Sequence, residues 1–129
     1  IFFVSPRPLR IGRDIKKYLD KHMVKYTECL KMNPILDKVD VIYQTRVQKE
    51  RFKNIKEYEK YNGTYVIDKS VAQKLKPLAI IMHPLPRVNE ITTDVDAMPN
   101  AAYFRQAYYG LLIRMALLKF LLGKSSLKI

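Results

Sequence analysis

Three short β-prone runs, each cut off by polar or proline-rich sequence, constrain this chain more than anything else in it. They are Ile1-Phe2-Phe3-Val4, Val39-Asp40-Val41-Ile42-Tyr43 and Leu78-Ala79-Ile80-Ile81-Met82. Runs of this length and β-branched content suit strands and are too short for buried helices. Amphipathic segments lie between them. Asp14 to His22 places Ile15, Tyr18 and Leu19 on one helical face, and Val24 to Cys29 reads as a further short strand. Pro34 to Lys38 reads as a helical turn offering Ile35 and Leu36 for burial. Within the polar stretch Gln48 to Asn62, the part from Ile55 to Tyr61 reads as helix. Ser70 can cap another helix that runs through Leu75 and is closed by Pro77. Strands alternating with helices predict an α/β fold: a parallel sheet flanked by helices, with Ile1 to Val4 as a fully buried strand.

Composition narrows the class. A chain of 129 residues fits one domain, and 48% hydrophobic content excludes general disorder. A single cysteine, Cys29, excludes an internal disulfide framework and, with only two histidines, argues against a metal site; nothing calls for a cofactor. The first residues lack the basic start and small-residue cleavage site of a signal peptide. A buried strand at the very first residue, with no initiator Met, leads us to expect a piece of a longer polypeptide.

Ala101 to Leu122 reads as one helical stretch, or two broken near Gly110, with Asn100 as N-cap and Gly123 as stop. Between Leu111 and Leu122 only Arg114 and Lys119 are charged. Such a helix is apolar nearly all round and needs cover on several sides. It falls short of the ~20 uncharged residues of a membrane span. A core helix is expected, covered in part by a domain beyond this chain.

In open α/β sheets ligands bind beyond the carboxyl ends of the strands. Two such ends carry unusual residues. After Tyr43 comes Thr45-Arg46-Val47-Gln48-Lys49-Glu50-Arg51, which sets Arg46 and Gln48 on one side of an extended segment. A guanidinium fork beside an amide suits a carboxylate. After Met82 comes His83-Pro84-Leu85-Pro86-Arg87, whose prolines donate no N–H and fix the backbone, so that the loop presents carbonyl acceptors. The bond before Pro86 can be cis. Taken singly, the proline pair fits a rigid connector, the arginine a solvated basic loop, and His83 a satisfied structural histidine.

Taken together they are specific. Thr45 to Arg51, His83 to Asp96, and Ala101 to Gln106 followed by Gly110 and Arg114-Met115-Ala116-Leu117-Leu118 closely resemble the aspartate carbamoyltransferase family, in the family's order. The related ornithine enzymes carry a cysteine in the loop where Pro84 stands, and their cationic substrate would be repelled by Arg46. The resemblance implies a Rossmann-like aspartate-binding half. Residues 1–100 would be that domain without its first strand and helix, and residues 101–129 would be C-terminal helices packing back onto an absent carbamoyl-phosphate domain. It implies transfer of the carbamoyl group of carbamoyl phosphate to the α-amine of L-aspartate in pyrimidine synthesis. Arg46 would grip the side-chain carboxylate and Gln48 orient it. The carbonyls of Pro84 and Leu85 would accept from amine and NH₂ groups, with Pro86 holding the turn through a cis bond. Arg114 would support the site from behind. Lys49, Glu50 and Arg51 would belong to a closing loop running to about Tyr61. No catalytic residue, metal or cofactor is implied within this part. A homotrimer sharing sites between subunits is implied, and the cytosol is compatible with the lone thiol. The family's Ser-x-Arg-Thr phosphate loop is absent here, so the chain alone is expected to be inactive.

Two other classes stay in play. The net charge of +12, with lysines interleaved among Tyr18, Tyr26, Phe52, Tyr58 and Tyr61, suits a nucleic-acid-binding module, although no such motif accompanies it. A non-catalytic structural domain that keeps the fold is the other.

Overall fold

The computed structural model describes residues 1–123. The end of the expected C-terminal helical segment, 124–129, lies outside the described residues. Strand β1 (Phe2–Val4) pairs in parallel with β2 (Thr27–Cys29), and the connection between them carries helix α1 (Arg13–Lys21). Strand β3 (Val41–Tyr43) pairs in parallel with β4 (Ile80–Met82), separated in sequence by α2 (Ile55–Glu59) and α3 (Lys69–Ala72). Helix α4 (Tyr103–Leu121) closes the described chain. Parallel strands with helical crossovers are thus present, but in two two-stranded pieces rather than one sheet.

Each element has a local cause. Helix α1 has Asp14 in its first turn and Lys21 in its last, matching the helix dipole. Of the expected face only Leu19 is buried, while Ile15 and Tyr18 stay exposed. Lys16 Nζ reaches Glu28 Oε2 at 2.5 Å, tying α1 to β2. Asn33–Lys38 forms a 3₁₀ turn that buries Ile35 and Leu36, as its sequence predicts. The cap of α3 is a correction: the Asp68 carboxylate accepts from the Val71 N–H at 2.8 Å, and Ser70 lies inside the helix, donating to Asp68. A cap residue stands just before the first helical residue and accepts from the second or third N–H beyond it, and Asp68, preceding Lys69 and accepting from Val71, does.

The main core gathers Leu36, Ile67, Ala72, Ile81, Ile91, Val95 and Tyr103 around β4. On its far side β4 meets the chain entering α4, where Ile81 N–H donates to the Asn100 carbonyl and Ala102 N–H to the Ile81 carbonyl. Asn100 is not the N-cap of α4: its side-chain amide donates to the Ala79 carbonyl at 2.6 Å, and Ala102 takes the cap position without a side-chain bond. Gly110 does not break α4, whereas Gly123, at φ +67, follows its end as expected. Leu111, Leu112, Ile113, Leu117, Leu118 and Phe120 are exposed around the helix, so α4 is not a core helix within this chain. No helix among the described residues is long and apolar enough to cross a membrane.

Strand β1 is also not fully buried. Phe3 bonds to β2, as do the Ile1 carbonyl and the Ser5 N–H, so the peptide groups of Phe2 and Val4 point the other way. Likewise the Asp40 carbonyl, Ile42 and the Gln44 N–H face β4, which turns Val41 and Tyr43 outward. Both free edges line one cleft of about 860 Å³, floored by Met32, Ile35 and Leu36.

Candidate functional site

Strands β3 and β4 are neighbours, so their carboxyl ends lie side by side; Gln44 N–H donates to the Met82 carbonyl at 2.9 Å. Beyond β3, the buried Gln44 side chain donates to the Tyr65 carbonyl at 2.7 Å and fixes where the next residues leave the sheet. Arg46 then stands exposed. Its Nη2 donates to Glu50 Oε1 at 2.8 Å, one turn on, where Lys49–Arg51 forms a 3₁₀ turn. The Glu50 N–H and the Arg46 guanidinium beside it hold the Glu50 carboxyl below its usual range. Arg46, Gln48 and Arg51 line the mouth of the large cleft between β1 and β3. A second cavity, of about 260 Å³, joins Arg46, Lys49 and Glu50 to Val88, Asn89 and Glu90.

The loop after β4 is built from within. Leu85–Pro86 is cis, as expected, and Leu85 has φ 40, in the left-handed region. Among the described residues no donor reaches the carbonyl oxygens of Pro84 or Leu85. His83 is buried. Its Nδ1 accepts from the Leu85 N–H at 2.9 Å and its Nε2 meets Glu90 Oε1 at 2.8 Å, while Glu90 Oε2 accepts from the Val88 and Asn89 N–H groups at 3.1 Å each. Burial pushes the Glu90 carboxyl up, but its own backbone N–H, the Val88 and Asn89 N–H groups and His83 outweigh it and hold it low. At the far end of the loop, Arg87 grips Asp96 with both nitrogens, and the Tyr103 hydroxyl donates to Asp96 Oδ1 at 2.5 Å.

The structure brings Arg46 and the proline loop to adjacent strand ends, but neither cavity described above holds both among the described residues. The cavity that Arg46 shares with the second loop is lined by Val88 to Glu90, not by Pro84, Leu85 or Pro86. Arg114 lines neither cavity; its guanidinium folds back over Gly110 on the exposed part of α4. Three residues without an assigned role prove structural to the site. Glu90 seats His83, Asp96 seats Arg87, and Gln106 reaches both strand ends: its Oε1 accepts from the His83 N–H at 2.9 Å and its Nε2 donates to the Tyr43 hydroxyl at 3.2 Å. The signal for Gln106 is its place one turn after the buried Tyr103 on α4, which puts both on one side of the helix.

The aromatics that suit a nucleic-acid surface pack against other rings, although Tyr18 stays exposed. Phe52 stacks on Tyr61 at 5.8 Å and meets Tyr58 edge-on, Tyr18 packs on His22, and Tyr26 on Phe3.

Comparison with known proteins agrees with this arrangement. A rice protein (Oryza sativa subsp. japonica) named aspartate carbamoyltransferase, chloroplastic, is 54% identical over 123 residues, which cover 95% of this chain and 34% of the relative. The catalytic subunit from Methanocaldococcus jannaschii is 47% identical over 92% of this chain and 38% of its own length. The solved catalytic subunit of M. jannaschii aspartate transcarbamoylase superposes with a TM-score of 0.83 at 45% identity, over 96% of this chain and 41% of that one. A Trypanosoma cruzi aspartate transcarbamoylase solved with carbamoyl phosphate and aspartate gives 0.80 at 36% identity, over 91% and 39%. The chain therefore spans little more than a third of the length of the relatives it matches. The family profile described as aspartate/ornithine carbamoyltransferase, Asp/Orn binding domain, matches residues 4–121. With nearly the whole chain inside that match, and the fold superposing on a solved catalytic subunit, this chain belongs to the aspartate/ornithine carbamoyltransferase family.

Proposed function

We propose that this chain is the amino-acid-binding part of an aspartate carbamoyltransferase, acting with the rest of its polypeptide on carbamoyl phosphate and L-aspartate. The observation that carries the reading is the placement of a guanidinium and a proline-stiffened acceptor loop at the carboxyl ends of two adjacent parallel strands. In this reading Arg46 takes aspartate's side-chain carboxylate and Gln48 orients it. The free carbonyls of Pro84 and Leu85 accept from the carbamoyl NH₂ and the incoming α-amine. The free amine nitrogen attacks the carbamoyl carbon, the carbon–oxygen bond to phosphate breaks, and one amine proton leaves with the phosphate, giving N-carbamoyl-L-aspartate. Holding two anions in line, rather than forming a covalent intermediate, supplies the acceleration. Lys49, Glu50 and Arg51 close over the substrate. Aspartate is favoured over ornithine as acceptor because Arg46 attracts an anionic side chain and Pro84 replaces the ornithine enzymes' cysteine. Arg114 supports the site from α4 once that helix is covered. We propose a homotrimer and, on the free thiol of Cys29 alone, a cytosolic setting.

The remainder of the polypeptide has two places to go. The exposed apolar surface of α4 suits the carbamoyl-phosphate domain. The cleft between β1 and β3 suits one further parallel strand, because both edges offer unpaired peptide groups and strands pair about 4.8 Å apart. That strand would join the two pieces into a single sheet. In the full-length protein the amides of Phe2, Val4, Val41 and Tyr43 should therefore resist hydrogen exchange as well as that of Ile81; rapid exchange there would show the cleft to be open. In a turnover assay the full-length protein should release phosphate with aspartate and not with ornithine, and the 129-residue chain should be inert. Turnover with ornithine instead would overturn the acceptor assignment.

A further inference from the structure

We infer that His83 is a positioning residue of the transfer reaction: its Nδ1 holds the Leu85 N–H and so fixes the peptide plane whose oxygen is the Pro84 carbonyl, and with it the Leu85 turn that aims the next carbonyl at substrate. The inference rests on the carbamoyltransferase reading above. An imidazole nitrogen that accepts an N–H carries no proton, and His83 Nδ1 accepts from Leu85 at 2.9 Å. The ring proton must then sit on Nε2, where it is donated to Glu90 Oε1 at 2.8 Å. Both nitrogens are spent inside the protein and the ring is only 2% exposed, so His83 does not act as a base on substrate. Its effect runs through the backbone.

Leu85 sits at φ 40, a region that a residue with a Cβ enters only when neighbouring bonds hold it there. One such bond comes from His83. The imidazole is itself held from two sides, by the Glu90 carboxylate on Nε2 and by Gln106, which accepts the His83 backbone N–H. Glu90 in turn is pinned by two N–H groups of its own loop. The chain of contacts fixes the Pro84–Leu85 peptide and leaves the oxygens of both Pro84 and Leu85 unbonded among the described residues, as acceptors aimed at substrate require.

Two substitutions in the full-length enzyme separate the two ring nitrogens. In His83→Asn the amide oxygen stands where Nδ1 stood and still accepts the Leu85 N–H, while Glu90 is out of reach. In His83→Gln the amide NH₂ reaches Glu90, while Leu85 is left without an acceptor. Positioning predicts that His83→Gln loses about 30-fold in kcat with a smaller change in KM for aspartate, and that His83→Asn restores kcat to within about three-fold of wild type. A residue needed only for folding would make kcat follow melting temperature across the pair, without regard to which nitrogen is mimicked. Equal kcat for the two variants would overturn the inference. Nitrogen NMR of the wild-type imidazole decides even where a variant fails to fold: an unprotonated Nδ1 and protonated Nε2 support it, and a proton on Nδ1 sinks it. Absence of aspartate turnover by the wild-type protein would instead count against the function itself, so the two failures are distinct.

Discussion

Arg46→Ala in the full-length protein is expected to lower kcat/KM for aspartate by roughly 100-fold, a loss of about 2.7 kcal/mol in transition-state binding. The figure follows from what Arg46 does now and what it would do with substrate. In this structure its guanidinium is paired with Glu50 at 2.8 Å, and the two side chains are 56% and 58% exposed. A pair that open to water contributes little to stability, because solvent screens it and ordering two long side chains opposes it. Glu50 therefore holds Arg46 weakly, and a substrate carboxylate in a closed, drier site displaces it at little cost. There the same fork makes charge-assisted bonds of roughly 1.5–3 kcal/mol. Arg46→Lys keeps the charge and loses the two-pronged geometry, so it should recover only part of the loss, leaving about a 10-fold defect. Steady-state kinetics with aspartate varied at saturating carbamoyl phosphate would check both. An unchanged kcat/KM for aspartate in Arg46→Ala would remove Arg46 from the aspartate site.

Much of this fold is legible in the residues because its signals are local. Runs such as Val41-Ile42-Tyr43 and Ile80-Ile81-Met82 need only their own side chains to announce strands. The turn around Ile35 and Leu36, and the stop at Gly123, are equally self-contained. Readings fail where the partner is distant in sequence. Asn100 looks like a cap, but its amide is claimed by Ala79, 21 residues back, when the chain runs beside β4. Ser70 and Asp68 can both cap a helix, and only the three-residue reach to Val71 chooses between them. The apolar circumference of α4 says that cover is needed without saying from which side. Among the described residues it has none along most of its length.

The site divides in the same way. Adjacent strand ends bearing Arg46 and Pro84-Leu85-Pro86 follow from the alternation of strands and helices, and the structure places them so. A single pocket common to Arg46 and Leu85 does not follow, since in the proposed function its other walls come from a further strand and from a domain packed on α4. Glu90 and Gln106 escape notice because a carboxylate seven residues from a histidine, or an amide in a helix, carries no sequence mark of the bond it makes. Only the folded loop shows that the residues framing the acceptor carbonyls are themselves held by a second polar layer.

The strongest part of that layer yields the largest effect on stability. Asp96→Asn is expected to cost about 2 kcal/mol at neutral pH, because it leaves the Arg87 guanidinium facing a neutral amide. The Arg87 side chain is 15% exposed and that of Asp96 31%. Arg87 Nη2 donates to Asp96 Oδ2 at 2.6 Å, and the guanidinium also lies over the Tyr103 ring at 5.4 Å from its centre. These contacts fasten the proline loop to the first turn of α4. The Arg87 bonds hold the Asp96 carboxyl below its ordinary 3.8 against the opposing effect of burial. A carboxyl depressed on folding stabilises fully above its unfolded value and loses that contribution as pH falls through the lower folded one. Wild type and Asp96→Asn should thus differ most at neutral pH and converge below pH 3.8. At the alkaline end the sign reverses. Burial, and then the Asp96 carboxylate, push the Tyr103 phenol from 10.0 up to about 12, so its contribution is full below pH 10 and is lost toward pH 12. Tyr103→Phe should flatten that alkaline decline while leaving the acid limb sloped. Urea unfolding of the full-length protein from pH 3 to pH 12, with both variants beside wild type, reads out each limb. A gap between wild type and Asp96→Asn that stays constant into acid would mean that the Arg87–Asp96 charge pair does not carry the stability assigned to it.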